Sequence, residues 1–166
     1  MVIVLESIKT LIKLKYLIFF FILIGCSNNG VVLPKKDLIL ENINFDVVEK
    51  KLTNQALLPS HLETLLSNWF SKNIKVNGFD GNVEIYINYY SEKISDISDG
   101  KRVDTNIKLD VIINKPSLSF KKVIEVEANT FGTLTGNFSL KDFDLIIQNT
   151  QSDLVERLTK DIISKI

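Results

Sequence analysis

Few residues in this chain could do chemistry, and their spacing limits what they could do. One cysteine, Cys26, closes an uninterrupted apolar run, and one histidine, His61, opens a helical stretch. A single thiol excludes an intramolecular disulfide, and one His with one Met leaves the usual soft-metal ligand sets unfilled. A general base needs a nucleophile or substrate within hydrogen-bond reach. No serine of nucleophile-elbow type accompanies His61, which reads as an exposed helix-start residue without a role. The acidic stretch from Glu92 to Gly100 lacks the alternating oxygen spacing of a calcium loop and reads as a solvated hairpin loop with Asp99-Gly100 at its turn. Gly132 and Gly136 lack the Gly-Lys-Ser/Thr ending of a phosphate cradle. Asn137-Phe138-Ser139 is a glycosylation triplet by pattern only. No catalytic residue, metal or cofactor is expected. Tyr86 and Tyr90 are expected on a wet sheet face beside Glu84 and Asn88, with Tyr89 and Trp69 in the core. Aromatics on such a face offer contact area at low entropic cost, which makes Tyr86 and Tyr90 a candidate partner face. Cross-strand pairing within the sheet accounts for them equally well.

The N-terminal residues have a different organisation. Lys9, Lys13 and Lys15 precede Tyr16–Ile24 (YLIFFFILI), and Gly25-Cys26 follows. A positive region, an apolar run of 7–15 residues and a small residue at the cut form the layout of a secretory signal. The run is too short to span a bilayer, which takes about 20 apolar residues. Leu23-Ile24-Gly25-Cys26 resembles the bacterial lipobox. That resemblance implies cleavage between Gly25 and Cys26, diacylglyceryl attachment to the Cys26 sulfur and acylation of the new N-terminus, with the acyl chains holding the chain to a membrane. Ser27 in place of an aspartate implies the outer membrane rather than retention at the inner one. The expected organisation is a signal peptide over 1–25, a lipidated N-terminus and tether over 26–36, and one domain over 37–166. Asn28-Asn29-Gly30 and Leu33-Pro34-Lys35-Lys36 break regular structure at either end of the tether.

Nothing in the charge balance suggests nucleic acid. The chain carries 20 basic and 20 acidic residues, whereas nucleic-acid binding needs a basic surplus on one face. A domain of this length must be held together by its core. Positions 38–48 mix apolar and β-branched residues and predict a first strand. Ser60-His61-Leu62-Glu63 has capping-box spacing, and Leu62, Leu65, Leu66, Trp69 and Phe70 form one helical stripe closed by Asn77-Gly78. Strands follow over Val83–Tyr89, Val103–Ile113 and Ile124–Ala128, each alternating apolar and polar residues as in a sheet covered on one side. Ser139 with Asp142 caps a last helical stripe through Leu154, Leu158 and Ile162, which Asn149-Thr150 is placed to interrupt. The expected fold is α+β: a four-stranded, mainly antiparallel sheet with two helices on one face, in the order β-α-β-β-β-α.

An anchor followed by that order of elements resembles two families of envelope lipoproteins. One is the lipopolysaccharide-assembly lipoprotein of the outer-membrane translocon barrel, through Glu127-Ala128-Asn129-Thr130-Phe131 and the helix from Ser152 to Ile166. The other is the auxiliary lipoprotein of ABC-type transporters, through Leu65-Leu66-Ser67-Asn68-Trp69. The resemblance implies a non-enzymatic accessory on the periplasmic side of the outer membrane. Its partner would be an outer-membrane barrel or an ABC transporter, with lipid or lipopolysaccharide as the material moved. A freestanding periplasmic binding or structural lipoprotein is the alternative, and a closed apolar pocket between sheet and helices would mark it.

Overall fold

Alternating apolar residues on the long strands need a single cover, and the two amphipathic helices supply it. The computed structural model describes residues 40–166; Gly25, Cys26 and the tether lie outside them. The elements are β1 (Ile43–Phe45), β2 (Glu49–Asn54), α1 (Ser60–Asn73), β3 (Ile74–Val76), β4 (Asn82–Ile97), β5 (Gly100–Lys115), a 3-10 turn (Pro116–Leu118), β6 (Phe120–Thr135) and α2 (Leu140–Lys165). The main sheet has the order β2-β4-β5-β6. β4, β5 and β6 form an antiparallel meander, and β2 lies parallel to β4. The α+β class, the four-stranded mainly antiparallel sheet and the element order are as the sequence predicts.

One core runs between sheet and helices. Val83, Ile85 and Ile87 of β4, and Ile107, Leu109 and Val111 of β5, meet Leu62, Leu66 and Trp69 of α1 and Leu154, Leu158 and Ile162 of α2. Each such side chain contributes about 1.5–3 kcal/mol by leaving water. Near its start α2 presses close to β6 at Gly132, where a Cβ would lie 2.4 Å from Thr150 Oγ1 and 2.9 Å from Ile146 Cγ1. Thr105, Thr130 and Thr150 line the buried side of that approach. Thr130 Oγ1 donates to the Thr150 carbonyl at 3.0 Å, which leaves its oxygen to accept from Thr105 Oγ1 at 2.8 Å. β6 is an edge strand, and α2 covers part of that edge. Arg157 donates to the Asn129 carbonyl and Lys165 to the Glu125 carbonyl, occupying acceptors on which another strand would pair.

Several local expectations are corrected. The strand predicted over 38–48 is only the three residues of β1, which pair with β3 and not with the main sheet; β2, the strand that enters that sheet, begins at Glu49, past the predicted end. Ile43, Phe45 and Val47 are buried in alternation, but a bend at 46–48 moves the chain from a small parallel pair with β3 into the main sheet as β2. Pro59 stands at the N-cap position of α1, no side chain caps it and the Ser60–Glu63 box does not form; the helix ends at Asn73, not at Asn77-Gly78. There Lys50 Nζ donates to the carbonyls of Phe70, Ser71 and Ile74 at 2.9, 3.1 and 2.5 Å, closing the helix from outside its own sequence. α2 is capped as expected: Ser139 accepts from the Asp142 amide, and Asp142 accepts from the Ser139 amide. Asn149-Thr150 does not interrupt it, because Thr150 is buried and its hydroxyl bonds back to the Ile146 carbonyl at 2.7 Å. Glu92–Ile97 is not loop but strand, and the hairpin turns tightly over Ser98-Asp99.

Candidate interaction surface

The outer sheet face is polar and densely paired. Tyr86 stands on it as expected, half-buried, with its hydroxyl donating to Glu84. That bond, ahead of desolvation, pushes the phenol above its ordinary pKa. Across the face Asn88 donates to Asp110 at 2.8 Å, Asn106 to Glu127 at 2.9 Å, and Lys108 pairs with Glu127 at 3.0 Å. Arg102 binds Asp104 through two nitrogens and stacks over the exposed Phe131 ring at 4.3 Å. Pairs this open to water contribute little to stability. Their effect is to hold the side chains of the face in fixed positions.

Tyr90 does not share that face. The β4–β5 register shifts between Ile87 and Tyr89, so Asn88 is the extra residue of a β-bulge. A single extra residue reverses the inside–outside alternation of every position after it. Tyr89, expected in the core, is therefore 46 % exposed, while Tyr90 packs against the core on the helix side. The candidate face keeps Tyr86, loses Tyr90 and gains Tyr89, which sits opposite Lys108.

The same bulge turns Glu92 inward and builds a polar chain that no sequence motif marks. Tyr90 donates to Glu92 Oε2 at 2.7 Å, and Gln151 Nε2 donates to the same oxygen at 2.9 Å. Gln151 Oε1 lies 2.9 Å from His61 Nδ1. Because the Gln151 nitrogen is spent on Glu92, the imidazole must be the donor of that bond. His61 is thus half-buried and partnered, not exposed and idle. Gln151 is only 1 % exposed and ties α1, α2 and β4 together. Burial, then the Glu92 hydrogen bond, raises the Tyr90 phenol far above its usual range. Neutral at physiological pH, Tyr90 is a donor here and not a nucleophile.

Beside this chain, an open groove of about 490 Å³ separates the edge strand β2 from α1. Leu52, Leu58, Leu66 and Ile87 form its apolar part, and Glu63 and Ser67 are among its polar lining. Among the described residues no group of three or more His, Cys, Asp or Glu is placed to hold a metal ion. Among them also, no helix is long and apolar enough to cross a membrane.

No family model matches the sequence, and no curated protein matches it. Solved structures resemble its shape. The rare lipoprotein B of Shewanella oneidensis is 9 % identical with a TM-score of 0.48, over 71 % of this chain and 96 % of that one. A minor lipoprotein of Acinetobacter baumannii is 15 % identical with a TM-score of 0.43, over 72 % of this chain and 94 % of that one. An uncharacterised lipoprotein B of Nitrosomonas europaea is 10 % identical with a TM-score of 0.44, over 76 % and 89 %. Similarity at this level is one of shape and decides nothing about function.

Proposed function

We propose that this chain is a lipoprotein of the bacterial cell envelope, anchored through acyl chains on Cys26. Its folded domain faces the periplasm from the outer membrane and acts as a non-enzymatic accessory in envelope biogenesis. The observation that carries the reading is Leu23-Ile24-Gly25-Cys26: the single cysteine of the chain stands where a charged region, an apolar run and a small residue converge. One acyl chain of myristoyl length binds a membrane only marginally, and two or more hold it stably, so a triacylated chain stays where it is put.

An accessory needs a surface rather than a reaction centre. The space between the sheet and the helices is filled by side chains, and the outer face presents Tyr86, Tyr89 and a fixed set of charged groups. Such a surface suits docking on an outer-membrane barrel or an ABC transporter that moves lipid or lipopolysaccharide. The groove between β2 and α1 favours a second reading, a freestanding binding lipoprotein, since its apolar lining and polar groups fit a small amphipathic ligand.

Crosslinking in intact cells through the outer face, at position 86 or 89, tests the choice. Recovery of one envelope barrel or transporter supports the accessory reading. Efficient labelling with no protein adduct, together with a lipid that co-purifies and is lost on Leu52→Asp, supports the binding reading.

A further inference from the structure

The end of the domain where β2 and β4 begin carries an apolar tip that the fold does not use. Phe79, between β3 and β4, is fully exposed at 100 %, and Leu118, in the 3-10 turn between β5 and β6, is 70 % exposed. Val48 and Phe120 beside them are also exposed. Isolated exposed apolar residues are ordinary, but these stand on backbones locked to one another. Asp80 accepts from both the amide and the hydroxyl of Ser117, the amide at 3.1 Å. Lys115 pairs with Asp46 at 2.8 Å, and the Val48 amide donates to the Gly81 carbonyl at 3.1 Å. Gly81 has φ +81°, and a Cβ there would lie 2.0 Å from the Asn114 carbonyl oxygen, so only glycine lets the loops close this tightly. Both loop ends are therefore held with their apolar side chains in water.

We infer that this tip is a membrane-contact site: Phe79 and Leu118 insert at the headgroup boundary of the phospholipid bilayer that holds the anchor. The inference rests on the proposed acylation of Cys26 and adds to it a fixed orientation of the domain. Two observations select a bilayer as the occupant. The first is the path of the chain. Residues 27–39 extend to at most roughly 43 Å. The Leu40 carbonyl is held by Asn73 at 3.0 Å, and β1 then leads to Asp46 at the tip itself. Asp46 is six residue steps from Leu40, a span of at most roughly 20 Å, so the tip lies within tether reach of the anchored acyl chains. The second is chemical. An aromatic and an aliphatic tip, with exposed Lys75 and Lys121 on the strands that adjoin its loops, exposed Glu49 beside them and Asp46 paired with Lys115, matches the interface, where apolar groups enter the acyl boundary and ammonium groups meet phosphates. Each large apolar side chain that leaves water raises occupancy roughly tenfold or more. Tethering supplies the lipid at high effective concentration, so a contact too weak for a free domain suffices here.

The test uses the full-length chain purified from membranes, with one cysteine introduced at position 79, 118 or 57 and labelled with an environment-sensitive fluorophore. Acylation of the Cys26 sulfur leaves the introduced thiol as the reactive one. Leu57 is the control: it is 96 % exposed but lies beyond the opposite end of β2. In phosphatidylethanolamine–phosphatidylglycerol liposomes, probes at 79 and 118 should shift to the blue. Headgroup-nitroxide lipids should quench them at least twofold more than the probe at 57. Equal spectra and quenching at all three positions would overturn the inference. So would burial at 79 and 118 in native envelopes but not in protein-free liposomes, which would mark the tip as a protein-docking site. If intact mass shows Cys26 unmodified, the anchoring reading fails by itself. The tip is then decided on a Cys26→Ser chain held to nickel-chelating liposomes by a hexahistidine tag at its N-terminus, by the same contrast between 79 and 57.

Discussion

Replacing Gln151 with leucine should destabilise the domain by about 2 kcal/mol, although leucine nearly conserves volume and burial. The buried amide makes one hydrogen bond to the Glu92 carboxylate and one to the His61 imidazole. A bond to a charged acceptor contributes about 2 kcal/mol net and a neutral one about 1. Leucine recovers about 1 kcal/mol because no amide is then buried, which leaves a loss of about 2. For a domain of this size that corresponds to a fall in Tm of about 7 °C. Urea denaturation followed by circular dichroism measures it, with the m-value unchanged because the folded state stays compact. Tyr90 and Gln151 share Glu92 Oε2, so Tyr90→Phe combined with Gln151→Leu should depart from additivity by at least about 0.5 kcal/mol. A single-variant cost below about 0.5 kcal/mol, or additivity in the pair, would refute the claim that this polar chain holds α1, α2 and β4 together.

Gly132→Ala should cost about 2 kcal/mol by wedging α2 away from β6 at Thr150 and Ile146, and Gly132→Val more; thermal denaturation reads both. Thr130→Val should cost about 1–2 kcal/mol, since it removes the donor to the Thr150 carbonyl and leaves the Thr105 hydroxyl only its long 3.5 Å bond to the Thr130 carbonyl. Asp142 sits below its ordinary pKa because Ser139 bonds to its ionised form. The stability it gives is present above the unfolded carboxylate pKa and is lost as pH falls through the lower folded value. Between neutral pH and about pH 3, wild type should therefore lose more of its urea midpoint than Asp142→Asn does.

Much of the fold was legible because its strongest signals are periodic. β5 alternates from Val103 to Ile113 without a fault, and every odd position there is buried. The α2 stripe through Leu154, Leu158 and Ile162 and the Ser139–Asp142 box also appear as the sequence implies. What escaped depends on neighbours distant in sequence. β2 (EKKLTN) shows no clean alternation because it is a short edge strand whose lysines serve other elements, Lys50 by closing α1. β3 is three residues attached to a helix, and only its parallel pairing with β1 makes it a strand. The bulge at Asn88 mattered most. An extra residue leaves alternation intact on either side and reverses its meaning, so Tyr89 and Tyr90 exchanged places and Glu92 turned inward. β4 carries only a faint trace of the bulge: Val83, Ile85 and Ile87 fall on odd positions and Tyr90 and Ile94 on even ones, but Tyr89 and Ile97 keep the odd phase.

Anchoring through Cys26 is decided by the mass and location of the mature chain. The full-length protein and its Cys26→Ser variant would be expressed in a Gram-negative host, the membranes separated by density, and the intact masses measured. The wild-type chain should begin at Cys26, heavier than its residues by three acyl chains and a glyceryl group, in the outer-membrane fraction. The Cys26→Ser variant should lack that mass and leave the fraction. A wild-type chain with an unmodified Cys26, or one found equally in the membrane with serine at that position, would contradict that anchoring.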